Sequence, residues 1–178
     1  MPNVPFLRLP LLVMLLVAAG SGSARADDLA EVMRLQSSGQ RAAAVELAQR
    51  HLAQQPRDAT MRFQLGVMLA DSGRKAEAIE AFTQLSQDHP DLPEPYNNLA
   101  AVHASMGDYD QARAALERAL RSRPDYAAAH ENLGDVYLAL ARRAYARAAE
   151  LEPANTTLAP KLALLRQWPG PAAPPPLR

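Results

Sequence analysis

"YNNLAAVHASMGDYDQARAALERALRSRPD", Tyr96 to Asp125, is the stretch that decides the fold. Its Ala and Leu residues recur at spacings of three and four on both sides of Gly107, the period of two amphipathic helices joined by a short turn. The stretch is also one copy of several. Gly39, Gly73 and Gly107 stand 34 residues apart, as do Ala44, Ala78 and Ala112. Pro56, Pro90 and Pro124 keep the same interval, and so do Leu65, Leu99 and Leu133. Four sets of markers on one period establish an internal repeat, and with few strand-like segments the chain reads as all-α.

Each marker has a mechanical reason. The three glycines follow an apolar-periodic helix and supply the left-handed turn that stops it. The alanine five residues later sits where a second helix crosses the first, and a methyl group permits close approach. Proline ends the unit because it cannot continue a helix, and Asp58 or Asp125 is expected to cap the next one. Each unit is a helical hairpin with one apolar face that only a stacked neighbour can bury.

Tyr96–Asp125 resembles a tetratricopeptide repeat, and so does "FQLGVMLADSGRKAEAIEAFTQLSQDHPD", Phe63 to Asp91, in period and in its Leu, Gly, Ala and Pro markers. The pair Leu65-Gly66 of the second unit returns as Leu133-Gly134 in the fourth. The first unit is weaker, with Glu31 where the others carry Leu, though Gly39, Ala44 and Pro56 hold. The resemblance implies a right-handed solenoid of helix-turn-helix hairpins, with units at about 27–58, 59–92, 93–126 and 127–156. It is nearly silent on function, because the family serves many unrelated partners.

The fourth unit departs from the pattern. In "ENLGDVYLALARRAYARAAELEP", Glu131 to Pro153, the ending Tyr145, Ala148, Pro153 arrives five residues early, and Ala141 stands where a glycine is expected. The counterpart of "GDYDQ" is gone. From Val136 to Glu152 most residues are strong helix formers, so the two helices are expected to fuse into one from about Tyr126 to Glu152. A tight turn surviving near Ala141 is the alternative. The projecting half, with Leu140, Tyr145, Ala148 and Leu151, needs a cover. "TTLAPKLALLRQW", Thr156 to Trp168, reads as a capping helix with Leu158, Leu162, Leu165 and Trp168 on its apolar side, and a block of residues 157–168 is assigned to it. A second copy of the chain, giving a homodimer through the long helix, is the other cover. The Pro-rich end, residues 169–178, reads as an extended or disordered tail.

The chain opens on a short leader with one basic residue, Arg8, followed by an apolar run from Leu9 to Ala19 and then small residues ending in Ala24-Arg25-Ala26. That is the layout of a cleavable secretory signal, with cleavage expected after Ala26 and a periplasmic destination in a Gram-negative bacterium. Retention as an inner-membrane anchor facing the periplasm is the alternative. Beyond Ala26 the chain has 17 Lys+Arg against 19 Asp+Glu, so no basic excess attracts nucleic acid or an anionic membrane. With no cysteine there is no disulfide and no thiolate metal site.

Nothing catalytic emerges. His51, His89, His103 and His130 form no metal-ligand spacing with one another or with a carboxylate, and His103 and His130 are expected to fill packing slots on first helices. No nucleophile elbow and no Gly-rich phosphate loop occurs, so neither enzyme chemistry, metal nor cofactor is expected. Surface is what remains. In this family first helices line a concave groove, and the resemblance implies that a protein or peptide partner binds there. The lining candidates are Phe63, Gln64 and Val67, then Glu94, Asn97, Asn98 and Ala101, then Glu131, Asn132 and Asp135. Asn side chains can grip a peptide backbone, and the acids favour a basic or neutral segment. For Asn98 and Asn132 a purely structural role, tying one hairpin to the next, is the competing reading.

Overall fold

The computed structural model describes residues 21–167; the apolar leader run, Trp168 and the Pro-rich tail lie outside the described residues. Eight helices follow one another: α1 (Ser21–Ser37), α2 (Arg41–Gln54), α3 (Ala59–Asp71), α4 (Lys75–Asp88), α5 (Pro93–Ser105), α6 (Tyr109–Ser122), α7 (Ala127–Leu151) and α8 (Leu158–Arg166). Among the described residues there is no strand. The expected cleavage point after Ala26 falls inside α1.

The repeat markers act as the spacing predicts. Gly39, Gly73 and Gly107 have φ of +79°, +77° and +82°, the left-handed region that a side chain resists. In each turn the next residue's N–H reaches back to close the helix, as from Arg74 to the Leu69 carbonyl at 2.9 Å and from Asp108 to that of His103 at 3.0 Å. α2, α4, α6 and α7 each end two residues before a proline, at Pro56, Pro90, Pro124 and Pro153. Asp58 caps α3, its carboxylate accepting from the Met61 N–H at 3.0 Å. Asp125 does not play that part: the residue before α7 is Tyr126, and no side chain caps it.

Paired helices α1·α2, α3·α4 and α5·α6 pack as hairpins, and the hairpins stack. The core is built from the repeat positions. Ala44, Ala78 and Ala112 are fully buried, as are Val32, Phe82 and Leu116. Gly66 shows why its position must be small, since a Cβ there would lie 2.7 Å from the Phe82 ring. Burying a ring such as Phe82 stabilises by roughly 2–3 kcal/mol. First helices also touch along the stack, α3 with α5 and α5 with α7, whereas no comparable packing joins α2 to α4 or α4 to α6. The first-helix side is therefore the tighter, inner side of the curve.

The fourth hairpin is absent as a hairpin. α7 runs unbroken through Ala141 for 25 residues, about 38 Å at 1.5 Å per residue. α8 turns back at Pro153–Asn155 and packs on its second half, with Leu158 and Leu165 buried and Lys161 Nζ 5.1 Å from the Tyr145 ring centre. Leu151 is not covered as expected: it ends α7, ahead of the turn into α8, and is 65% exposed.

Candidate functional site: the inner face of the first helices

The ten candidate lining residues divide into three groups. Val67, Asn97 and Asn98 are buried, so their side chains belong to the packing between units. Phe63, Gln64, Glu94, Ala101, Asn132 and Asp135 are half-buried, and Glu131 is exposed. Phe63 stands edge-on to Phe82 with centroids 5.9 Å apart, and its outer edge lines a cleft of about 220 Å³ with Ala59, Thr60, Leu85, Leu92, Glu94 and Pro95. Glu94 is not a free acid: Arg123 donates to it at 2.8 Å, and the same guanidinium lies 5.3 Å from the Tyr126 ring centre.

The asparagines form one complete rung and one broken one. Asn132 Nδ2 donates to Asn97 Oδ1 at 2.8 Å, joining α7 to α5. Asn98 occupies the matching position one unit earlier, and the residue that would face it there is Phe63, which has no acceptor. Asn98 Nδ2 is buried without a partner. Asn97 is thus a structural acceptor and not a free hand for a ligand, which corrects the expectation that it grips a peptide. Glu131 and Asp135 show no ion pair with the described residues, and they give the end of this face a negative charge.

A family model described as tetratricopeptide repeat matches residues 29–120, just over half of the chain, and one described as TPR repeat matches residues 102–141. The chain belongs to the tetratricopeptide repeat family. Solved tetratricopeptide repeat structures resemble it along much of its length. The crystal structure of MamA protein aligns with a TM-score of 0.63 at 20% identity, covering 82% of each chain. TTC0263, a thermophilic TPR protein of Thermus thermophilus, aligns with a TM-score of 0.56 at 22% identity, over 79% of this chain and 98% of that one. YrrB, described as a TPR protein with an unusual peptide-binding site, aligns with a TM-score of 0.53 at 26% identity, over 55% of this chain and 50% of that one. No curated protein matches the sequence. The tetratricopeptide repeat fold supports a protein–protein interaction scaffold.

This tetratricopeptide repeat protein also holds a polar site that spacing did not reveal. The His51 side chain is fully buried between two carboxylates, Nδ1 at 2.9 Å from Asp28 and Nε2 at 3.0 Å from Asp58. Burial alone would push the imidazole pKa down, but the hydrogen bonds to Asp28 and Asp58 outweigh it and hold the pKa above its ordinary value. Two ionised carboxylates can only accept, so the pair of contacts favours the protonated ring, which donates from both nitrogens. The site joins α1, α2 and the cap of α3. Its signal in the sequence is a histidine at a core position where the next two units carry Leu85 and Ala119. His103 is partly buried, its Nδ1 without a hydrogen bond and 3.9 Å from the Asp108 carboxylate, in keeping with a packing role. His130 is exposed, and its Nε2 donates to the Pro124 carbonyl at 2.9 Å, so it does not fill a slot. Among the described residues no cluster of His, Cys, Asp and Glu is arranged to hold a metal.

Proposed function

We propose that the protein is a non-enzymatic scaffold of the Gram-negative periplasm, binding an extended, basic or neutral segment of a partner along the inner face of α3, α5 and α7. The cleft beside Phe63 carries this reading: it opens on the inner face, and its apolar lining of Ala59, Phe63, Leu85, Leu92 and Pro95 can take a side chain of the partner. Glu131 and Asp135 further along favour cationic groups. The periplasmic assignment rests on the leader sequence, with an inner-membrane anchor facing the same compartment as the variant form; among the described residues no helix is long and apolar enough to cross a membrane. In-cell cross-linking followed by mass spectrometry tests the groove. A Phe63→Asn, Glu131→Lys, Asp135→Lys variant is expected to lose partners that the parent chain captures, and retention of every partner would overturn the reading.

A second reading, a self-assembling subunit of the cell envelope, is favoured by one observation. The first half of α7 has a bare outer side, with Gly134 exposed and Tyr137 49% exposed.

A further inference from the structure

Gly66 and Gly134 hold the same place in their units, yet their surroundings differ. A Cβ on Gly66 would meet the Phe82 ring of the following helix at 2.7 Å, whereas one on Gly134 would meet nothing within 4 Å. The slot over Gly134 is the one that a second helix should fill. The sequence of that helix survives as the far half of α7. Tyr145 lies 63 residues after Phe82, the span of 34 from Phe82 to Leu116 plus the shortened span of 29 to Tyr145, and so corresponds to both. Size matching survives as well: Gly66 pairs with Phe82, Ala100 shares a core cluster with Leu116, and Gly134 awaits an aromatic. Gly134 and Tyr145 cannot meet within one chain, being 11 residues and so roughly 16 Å apart on one straight helix.

We infer that two copies exchange these halves, their α7 helices crossing antiparallel about a two-fold axis near Ala139 and Leu140, so that Tyr145 of each fills the slot over Gly134 of the other. The inference rests on the self-assembly reading and specifies its contacts. Loss of a hinge turn is the circumstance that turns an intramolecular hairpin into an exchanged pair. The stripe Gly134, Leu138, Ala141, Tyr145 and Ala148 follows helical three–four spacing, and reversal about that axis sets Leu138 of one chain opposite Ala141 of the other, again large against small. Charge agrees with the reversal. Glu131 and Asp135 flank the stripe on the first half and Arg142 flanks the same side on the second, so antiparallel packing brings opposite signs together, while Arg143 and Arg147 are taken up by Asp110 and Glu150. α8 lies beside this stripe: Leu162 and Arg166 close a cleft with Tyr109, Ala139, Arg142 and Ala146, and Lys161, whose Nζ stands 5.1 Å from the Tyr145 ring centre, swings aside when that ring enters the partner's slot.

The absence of cysteine makes the test clean. Light scattering of the purified protein is expected to give twice the single-chain mass. A Gly134→Cys, Tyr145→Cys variant, mildly oxidised, is expected to yield a reducible covalent dimer, since a disulfide needs Cα atoms within about 7 Å; a Leu164→Cys control on exposed α8 should not. Insertion of Gly-Asp-Tyr-Asp-Gln between Leu140 and Ala141 restores the turn and is expected to halve the mass while keeping the helical circular dichroism. A monomeric parent protein overturns both this inference and self-assembly. A dimer that fails to cross-link, or that survives the insertion, overturns the exchange and leaves self-assembly standing.

Discussion

Asp28, Arg62, Tyr96 and His130 stand 34 residues apart, chemically different every time, and each makes a tether. Arg62 donates to the Pro56 carbonyl and, at 2.6 Å, to Asp88; the Tyr96 hydroxyl donates to the Ser86 carbonyl at 3.2 Å; His130 donates to the Pro124 carbonyl; Asp28 takes His51. A single repeat position therefore fastens each unit by whichever polar contact its neighbours allow. At the first tether the hydrogen bonds to Asp28 and Asp58 outweigh burial and hold the His51 pKa above its ordinary value. Because the folded pKa of His51 lies above its unfolded value, the stabilisation is complete below about pH 6.5 and is lost as pH rises through the raised folded value. Urea melts across that window should show the parent chain weakening, while His51→Gln should be flat there and less stable at pH 6 by about 1–3 kcal/mol. An unchanged pH slope in the variant would mean that the imidazolium is not the titrating group. None of this was legible from local spacing. Asp28 and Asp58 lie 23 and 7 residues from His51 and on other elements, so only the assembled unit brings them together.

At the scale of elements the sequence was far more readable. Glycine, alanine and proline each enforce a local geometry that no distant residue can override, so turns, crossings and ends fall where a 34-residue ruler puts them. The fused α7 was readable for the same reason in reverse: with the glycine gone and only helix formers present, nothing stops propagation. Asp125 misled because a cap depends on where the first helical residue falls, and that residue is Ala127, one place beyond a capping distance. Two substitutions separate backbone demand from packing demand. Gly107→Ala meets no neighbour within 4 Å, so its cost comes from φ of +82° alone, about 1–2 kcal/mol. Gly66→Ala has ordinary helical φ but drives a methyl into Phe82, and about 1–3 kcal/mol is expected. Phe82→Leu should recover part of the second loss and none of the first; thermal melts of the two double variants check this, and equal recovery in both would refute the division.

For the molecule as a whole, the inner face was legible as a location but not as a set of free groups. Burial claimed Val67, Asn97 and Asn98, and Arg123 neutralised Glu94, because stacking brings together residues from units that the sequence keeps a full period apart. Asn98 Nδ2 is an unrelieved cost inside the stack, with almost no surface open to a ligand, so it belongs to packing and not to the face that a partner meets. Replacing Asn98 with Leu removes the unpaired donor at similar volume, so stability should hold or rise by about 1 kcal/mol. Partner capture should be unchanged in the same variant, since the donor is closed off from the groove. Phe63→Asn probes the same point from the other side: it offers Asn98 an acceptor like the one Asn97 gives Asn132, at the loss of the Phe82 edge contact. It should therefore satisfy the donor and yet weaken binding, because the apolar edge of the cleft is lost. Melting curves and partner capture measured on both variants decide the matter. Capture that survives Phe63→Asn would move the recognition surface away from the junction of the second and third units.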